Sequence, residues 1–232
     1  MSGISELQMS ISFEELLKSK IHLTGIPVFD IIYKEVVCQQ GIADFVGVIS
    51  KQGVETLLMF DDIESLDSGT LIFSLLKPKA SRSKHFLKEK TGLSDKTINR
   101  VLKELLENGI IQEVKEESYI LSSNLTVPRL DIWAFELKLS NWKRALFQAL
   151  QYKAFANYSV VVFPMEKKNV LSKQISLFKE LNVGILLFDT KTKNLEILVH
   201  AKKEKPSSKW HTFFTLGKLA NQYNSENKDT TP

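Results

Sequence analysis

The sequence predicts an α/β protein whose sheet domain is interrupted by a small helical module. Three observations carry the prediction. Apolar, strand-like runs stand on both sides of residues 66–125: "FDIIYKEVVCQQ" and "IADFVGVIS" before them, "LDIWAFELKL" and "YSVVVFP" after them. Between these runs the apolar spacing switches to that of helices. Charge is also partitioned. From Lys77 to Lys103 nine Lys and Arg residues face two acids, a net +7, while the whole chain carries +4, so the remainder is at −3. A basic block on a near-neutral body suggests a polyanionic partner for that block alone.

At 232 residues the chain can hold one large domain or two small ones, each with its own core. An apolar content of 43% with 25% charged residues is that of a soluble globular protein. The opening "MSGISELQMSISFEELLKSK" carries acids early and has no apolar stretch of a secretory signal. No run approaches the roughly 20 apolar residues of a membrane span, so no membrane association is expected. The single Cys38 cannot form an internal disulfide, which fits a reducing, cytoplasmic setting. His22, His85, His200 and His211 show no metal-ligand spacing.

Element by element, "SFEELLKSK" (12–20) reads as an amphipathic helix with Ser12 as N-cap and Phe13, Leu16 and Leu17 inward. Two strands follow, broken near Gly41, and "VETLLMFDDI" (54–63) reads as a third after a turn at Gly53. "SGTLIFSLLKP" is a helix ended by Pro78. "SRSKHFLKEKTG" is a second helix, closed by Gly92. "LSDKTINRVLKELLENG" is a third, capped by Ser94, with Ile98, Val101, Leu102 and Leu105 buried and Gly109 as its stop. "IIQEVKEESYILS" then alternates as a hairpin. After the strand from Leu130 come a helix from Asn141, the strand "YSVVVFP", the helix "NVLSKQISLFKELN", and the hairpin "VGILLFDTKTKNLEILVHA". A basic, aromatic-bearing tail ends in "NSENKDTTP", which is expected to be disordered. The expected domains are therefore 1–65 and 126–222 for the core, 66–125 for the inserted module and 223–232 for the tail.

Within the strand from Leu130, Trp133, Phe135, Leu137 and Leu139 share one face, so Glu136 and Lys138 share the other. Glu-x-Lys occurs four times in the chain, and only Glu136/Lys138 lies inside an apolar strand, where burying charge needs compensation. Asp44 is a second acid in an apolar strand. Two carboxylates converging from adjacent strands offer hard oxygens to a divalent cation such as magnesium or manganese. A nearby lysine can orient water and stabilise charge developing on a phosphate. A structural ion pair on a half-exposed face is the plainer reading of Glu136 and Lys138.

Asp44, then Glu136-Leu137-Lys138, then a helix carrying Gln148 and Tyr152 resembles the PD-(D/E)XK nuclease superfamily, whose restriction-endonuclease-like fold has an αβββαβ core. The element order is similar, and Arg144, Gln148 and Tyr152 lie at i, i+4 and i+8 along one helical stripe. The resemblance implies that Asp44 and Glu136 bind magnesium, that Lys138 orients the attacking water, and that Gln148 positions a water or the phosphate backbone. It implies that Arg144 and Tyr152 help hold the substrate, and that Glu14 or Glu15 on the first helix adds a ligand. It also allows a homodimer. Ala43 precedes the Asp where many members carry proline. The 92-residue separation of Asp44 from Glu136 requires an insertion, which costs little at a loop tip if its ends are close.

Residues 68–123 resemble a winged helix-turn-helix: a short helix, "TGLSDKT", a longer helix ending "LLENGII", and a polar wing ending at Tyr119. That resemblance implies a recognition helix from Asp95 entering a DNA major groove, with Asp95, Lys96, Thr97, Asn99, Arg100 and Lys103 as contacts. Three functions follow in order of preference. The first is a magnesium-dependent DNA hydrolase with a DNA-gripping module. The second is a non-catalytic DNA-binding regulator on a nuclease-like scaffold. The third is a protein-docking arm.

Overall fold

Alternation over residues 130–137 is realised as a strand at the centre of a sheet. The computed structural model describes residues 5–19, 25–39, 41–51, 66–123, 125 and 129–228. In chain order the elements are α1 (Glu6–Lys18), β1 (Ile31–Cys38), β2 (Gly41–Ser50), α2 (Leu66–Leu75), β3 (Arg82–Ser83), α3 (Lys84–Thr91), α4 (Asp95–Glu107), β4 (Ile111–Lys115) and β5 (Ser118–Leu121). There follow β6 (Leu130–Leu137), α5 (Trp142–Tyr152), β7 (Tyr158–Pro164), a 3-10 turn at Met165–Lys167, α6 (Lys168–Ser172), α7 (Ile175–Glu180), β8 (Gly184–Phe188), β9 (Leu195–Val199) and α8 (Lys209–Lys228). The described residues thus form a mixed α/β protein with a six-stranded mixed sheet and eight α-helices. The chain divides into two compact units, one of Met1–Lys51 with Arg129–Ser208 and one of Gln52–Pro128 with Lys209–Pro232.

The first unit is built on a sheet in the order β1-β2-β6-β7-β8-β9. β1, β2 and β6 are antiparallel neighbours; β6, β7 and β8 run parallel, joined through α5 and then α6–α7; β9 returns antiparallel. Parallel neighbours need such crossovers, because a two-residue turn cannot return the chain to the same end. One face of the sheet packs on α1, whose Met9, Phe13, Leu16 and Leu17 are buried with Phe45, Trp133, Phe135 and Leu137. The Phe13 ring meets Phe45, Phe135 and Phe188 edge-on with centroids 5.5–5.7 Å apart, an arrangement the ring quadrupoles favour. The opposite face carries Ala145, Leu146 and Ala149 of α5 and Phe178 of α7 against Val161, Phe163, Ile185 and Leu187. Gly47 of β2 belongs to the first face, where a Cβ would fall 2.6 Å from the Phe29 ring.

The interruption enters and leaves this sheet at adjacent positions, since Ser50 and Leu130 are register partners on β2 and β6. The closure penalty of the insertion is therefore that of a loop whose ends are already neighbours.

In the second unit α2, α3 and α4 precede the β4–β5 hairpin, and β3 adds to β5 to give a sheet in the order β3-β5-β4. Ser83 and Ser94 cap α3 and α4 through their hydroxyls. Gly92 ends α3 at φ 68°, a conformation glycine adopts without steric cost. Ile98, Val101, Leu102 and Leu105 form the buried stripe of α4, as the spacing predicts. α8 packs on α2: the Phe73 and Phe213 rings lie edge-to-face at 4.6 Å, and Trp210 Nε1 donates to Asp67 O at 3.2 Å. Gly217 makes room for Leu66, whose Cδ1 would stand 2.2 Å from an added Cβ.

Several sequence expectations are corrected. α1 begins at Glu6 rather than near Ser12, because Ser5 and Gln8 form a reciprocal capping box. The expected helix over 169–182 is split at Lys173–Gln174, where Gln174 takes φ −108° and ψ 0°. Residues 209–222, expected with the core, cluster with the helical unit, where Phe214, Leu216 and Leu219 are buried. The tail expected to be disordered is helical through Lys228. The strand expected at 54–63 lies outside the described residues. Among the described residues no helix is long and apolar enough to cross a membrane.

Candidate active site

The strands β2 and β6 part at the position that matters chemically. Phe45 and Phe135 are register partners, so Asp44 and Glu136 occupy the next position on the two strands. Beyond that pair the Leu137 amide has no β2 carbonyl to meet, and it donates instead to Asp44 Oδ2 at 2.7 Å. The Lys138 amide points the other way, to Val162 O at 3.0 Å on β7. Asp44 is therefore clamped to the backbone between Glu136 and Lys138, and 93 residues of sequence separate the bonded pair.

Glu136 points to the α5 face and is 1% exposed. Tyr152, also 1% exposed, sits on the last turn of α5, where its single hydroxyl proton is shared between Glu136 Oε2 and Ile42 O, the latter at 2.8 Å. Lys138 Nζ lies 2.7 Å from Glu136 Oε1 and donates to Leu137 O at 3.1 Å. Its approach to Oε1 is off-axis, so that buried oxygen lacks an aligned hydrogen bond. Burial, then the Asp44 charge, raises the Glu136 pKa, with Lys138 and Tyr152 opposing. Burial likewise raises Asp44, aided by the carboxylates of Glu6 and Glu35 and opposed by the Leu137 amide and Lys138. Burial above all, with the neighbouring Glu136 charge, keeps the Tyr152 phenol protonated.

Asp44, Glu136, Lys138 and Tyr152 are thus brought together. Tyr152, expected to hold substrate, is instead buried, and its hydroxyl orients the carboxylate. Gln148 lies one turn earlier on the same stripe, with its Oε1 buried and unpartnered among the described residues. Arg144, at the exposed start of α5, has its backbone amide capped by Asn141.

Asp44 and Lys138 open onto a small cleft of about 170 Å³, completed by Glu6 and Ser10 of α1 and Lys34 and Glu35 of β1. Of the expected first-helix acids, Glu15 pairs with Lys193 at 2.8 Å, while Glu14 pairs with Lys18 at 2.8 Å and reaches to 3.9 Å of Lys34 at the cleft without lining it. Glu6 lines the cleft because α1 starts earlier than Ser12. The signal was present in the i, i+4 spacing of Met9 and Phe13, both fully buried. Glu35, held at φ 53°, has no local sequence signal that would place it here.

Among the described residues no group of three or more His, Cys, Asp or Glu side chains is arranged to hold a metal ion. The donor set is two carboxylates, one of which has a buried oxygen without a hydrogen bond. Magnesium is held by proteins in this way, through one or two carboxylates, with water and phosphate oxygens filling the remaining positions. Asp44 and Glu136 are the residues that would hold such an ion.

On the helical unit, Lys96, Asn99, Arg100 and Lys103 are exposed along α4. Thr97 is half-buried, its hydroxyl 2.9 Å from that of the capping Ser94. Asp95 pairs with Lys88 at 2.6 Å, and Lys103 with Glu107 at 3.6 Å. No protein-family model, curated protein or solved structure matches the chain.

Proposed function

We propose that this chain hydrolyses phosphodiester bonds of DNA with a divalent cation, magnesium or manganese, held by Asp44 and Glu136. The observation that carries the reading is the clamp of Asp44 on the Leu137 amide, which sets a second carboxylate and an ammonium on either side of it. The ion would polarise a phosphoryl oxygen and lower the pKa of a bound water. Lys138 orients the attacking water and meets the negative charge that develops on the phosphate. Tyr152 fixes the rotation of Glu136, and the buried, unpartnered Oε1 of Gln148 offers an acceptor that would position a water. The pairing of β3 with β5 behind α3 and α4 supports a winged-helix reading of the second unit. Its exposed Lys96, Asn99, Arg100 and Lys103 would meet the duplex.

Glu136→Gln keeps the volume and removes the charge. It is expected to abolish magnesium-dependent nicking of duplex DNA while leaving the circular dichroism spectrum unchanged. Cleavage equal to that of the parent removes the assignment.

A second reading has its own support. Glu136 is almost fully buried, with Tyr152 on one oxygen and Lys138 on the other, as in a structural ion pair. On that reading the chain is a DNA-binding regulator without chemistry. Calorimetric titration with magnesium separates the two: heat that vanishes on Asp44→Asn supports the enzyme, and silence in both proteins supports the regulator.

A further inference from the structure

We propose that the helical unit binds a small amphipathic organic acid, an apolar body bearing one carboxylate, in a cavity formed by α2, the α2–β3 connection and α8. The cavity measures about 560 Å³, inside the roughly 300–1,000 Å³ range of small-ligand sites. Its wall is apolar: Phe73, Leu76, Pro78, Leu121 and Phe213 line it, and Phe73, Leu76 and Leu121 are 1%, 3% and 6% exposed. A void against such side chains forfeits dispersion contacts that an apolar occupant restores.

The rim decides the charge of the occupant. Lys77, Lys79 and Lys209 line the same cavity, and among the described residues no acidic residue does. None of the three forms an ion pair among the described residues, unlike Lys84 and Lys88 in the same unit. Three ammonium groups beside an apolar chamber favour an anion whose body enters while its head stays at the mouth. They disfavour a cation and give a neutral analogue nothing to pair with. The cavity shares no lining residue with the Asp44 cleft, and the inference does not depend on the proposed hydrolysis.

The test uses the full chain and decanoate below its micellar concentration, followed by calorimetry and thermal melting. Decanoate is expected to saturate at one molecule per chain and to raise the melting midpoint by about 5 °C near saturation. It should bind at least about tenfold more tightly than decanol, and decyltrimethylammonium should not bind. Combined Lys77→Gln, Lys79→Gln and Lys209→Gln, all at exposed side chains, should weaken decanoate about tenfold. Ala80→Trp, which fills the chamber from an exposed loop position, should abolish saturable binding. Equal affinity for decanol, binding that survives Ala80→Trp, or no saturable decanoate binding would each overturn the proposal. So would sedimentation of the chain with anionic phospholipid vesicles in place of decanoate binding, which would assign the lysines to a lipid surface.

Discussion

Removing one hydroxyl from Tyr152 tests the geometry of the carboxylate site without touching a group that reacts. In Tyr152→Phe the ring stays in place and the two oxygens that share the hydroxyl proton lose it. Ile42 is 54% exposed, so water can replace the hydroxyl at its carbonyl and little is lost there. Glu136 is 1% exposed, so water does not reach Oε2 and that oxygen is left unsatisfied. A hydrogen bond to a charged acceptor contributes about 1.5–3 kcal/mol, and a buried partner left unpaired puts the loss at about 2–3 kcal/mol. With a urea dependence of about 2 kcal/mol per molar, the unfolding midpoint should fall by about 1–1.5 M. Trp133 and Trp142 stand on β6 and α5, the elements carrying the site, so their fluorescence in a Trp210→Phe background reports this unit. Repeating the substitution on Glu136→Gln should reveal coupling of about 1–2 kcal/mol, since the two side chains touch. A loss below about 0.5 kcal/mol, or no coupling, would show that the hydroxyl does not hold Glu136.

The remaining expectations concern pH, helix α4 and the strand beneath α1. Asp44 and Glu136 both have raised pKa values in the folded chain. The folded state therefore holds more protons than the unfolded one above the ordinary carboxylate range. Stability without metal should fall as pH rises through that window. Asp44→Asn or Glu136→Gln should flatten the fall in urea titrations run at several pH values, and an unchanged slope would remove the argument. Lys96→Ala with Arg100→Ala should weaken duplex binding and make the slope of log K against log salt shallower by about 2, roughly 0.9 per lost phosphate contact; an identical slope would take α4 off the DNA. Gly47→Ala sets a Cβ 2.6 Å from the Phe29 ring and should cost about 1–3 kcal/mol in denaturant unfolding, whereas a neutral result would mean that Phe29 moves aside freely.

The parts of the fold legible in the sequence are those governed by short-range rules. Alternation placed Glu136 and Lys138 opposite Trp133, Phe135 and Leu137, and the structure sorts them onto those faces. Ser94 marks the start of α4 and a left-handed Gly92 the end of α3, because each satisfies backbone groups that a helix end leaves open. Ser12 with Glu15 has the spacing of a capping box as Ser5 with Gln8 does, and the structure forms the box at Ser5, so the start of α1 is not set by local spacing alone. The helical run of α8 was hidden by polar composition; its order comes from burial against α2, which no local pattern encodes. The site divides in the same way. Asp44, Glu136 and Lys138 stood out as charges in apolar strands. Glu6, Lys34 and Glu35 reach the cleft only through the three-dimensional course of α1 and β1. The burial of Tyr152 was equally unreadable, since a tyrosine on a helical stripe can face in or out.

The helical unit is assembled from two stretches of chain, with most of the sheet unit translated between them. Some 87 residues lie between Leu121 and Lys209, so at about 5–20 residues per second a ribosome needs roughly 4–17 s to reach the start of α8. Throughout that interval Leu66 and Phe73 wait without the helix that packs on them, a nascent greasy surface well placed to recruit chaperones. A transcript cut short after residue 208 would make that interval permanent, so truncated products should be cleared or aggregate even though every strand of the large sheet has been made.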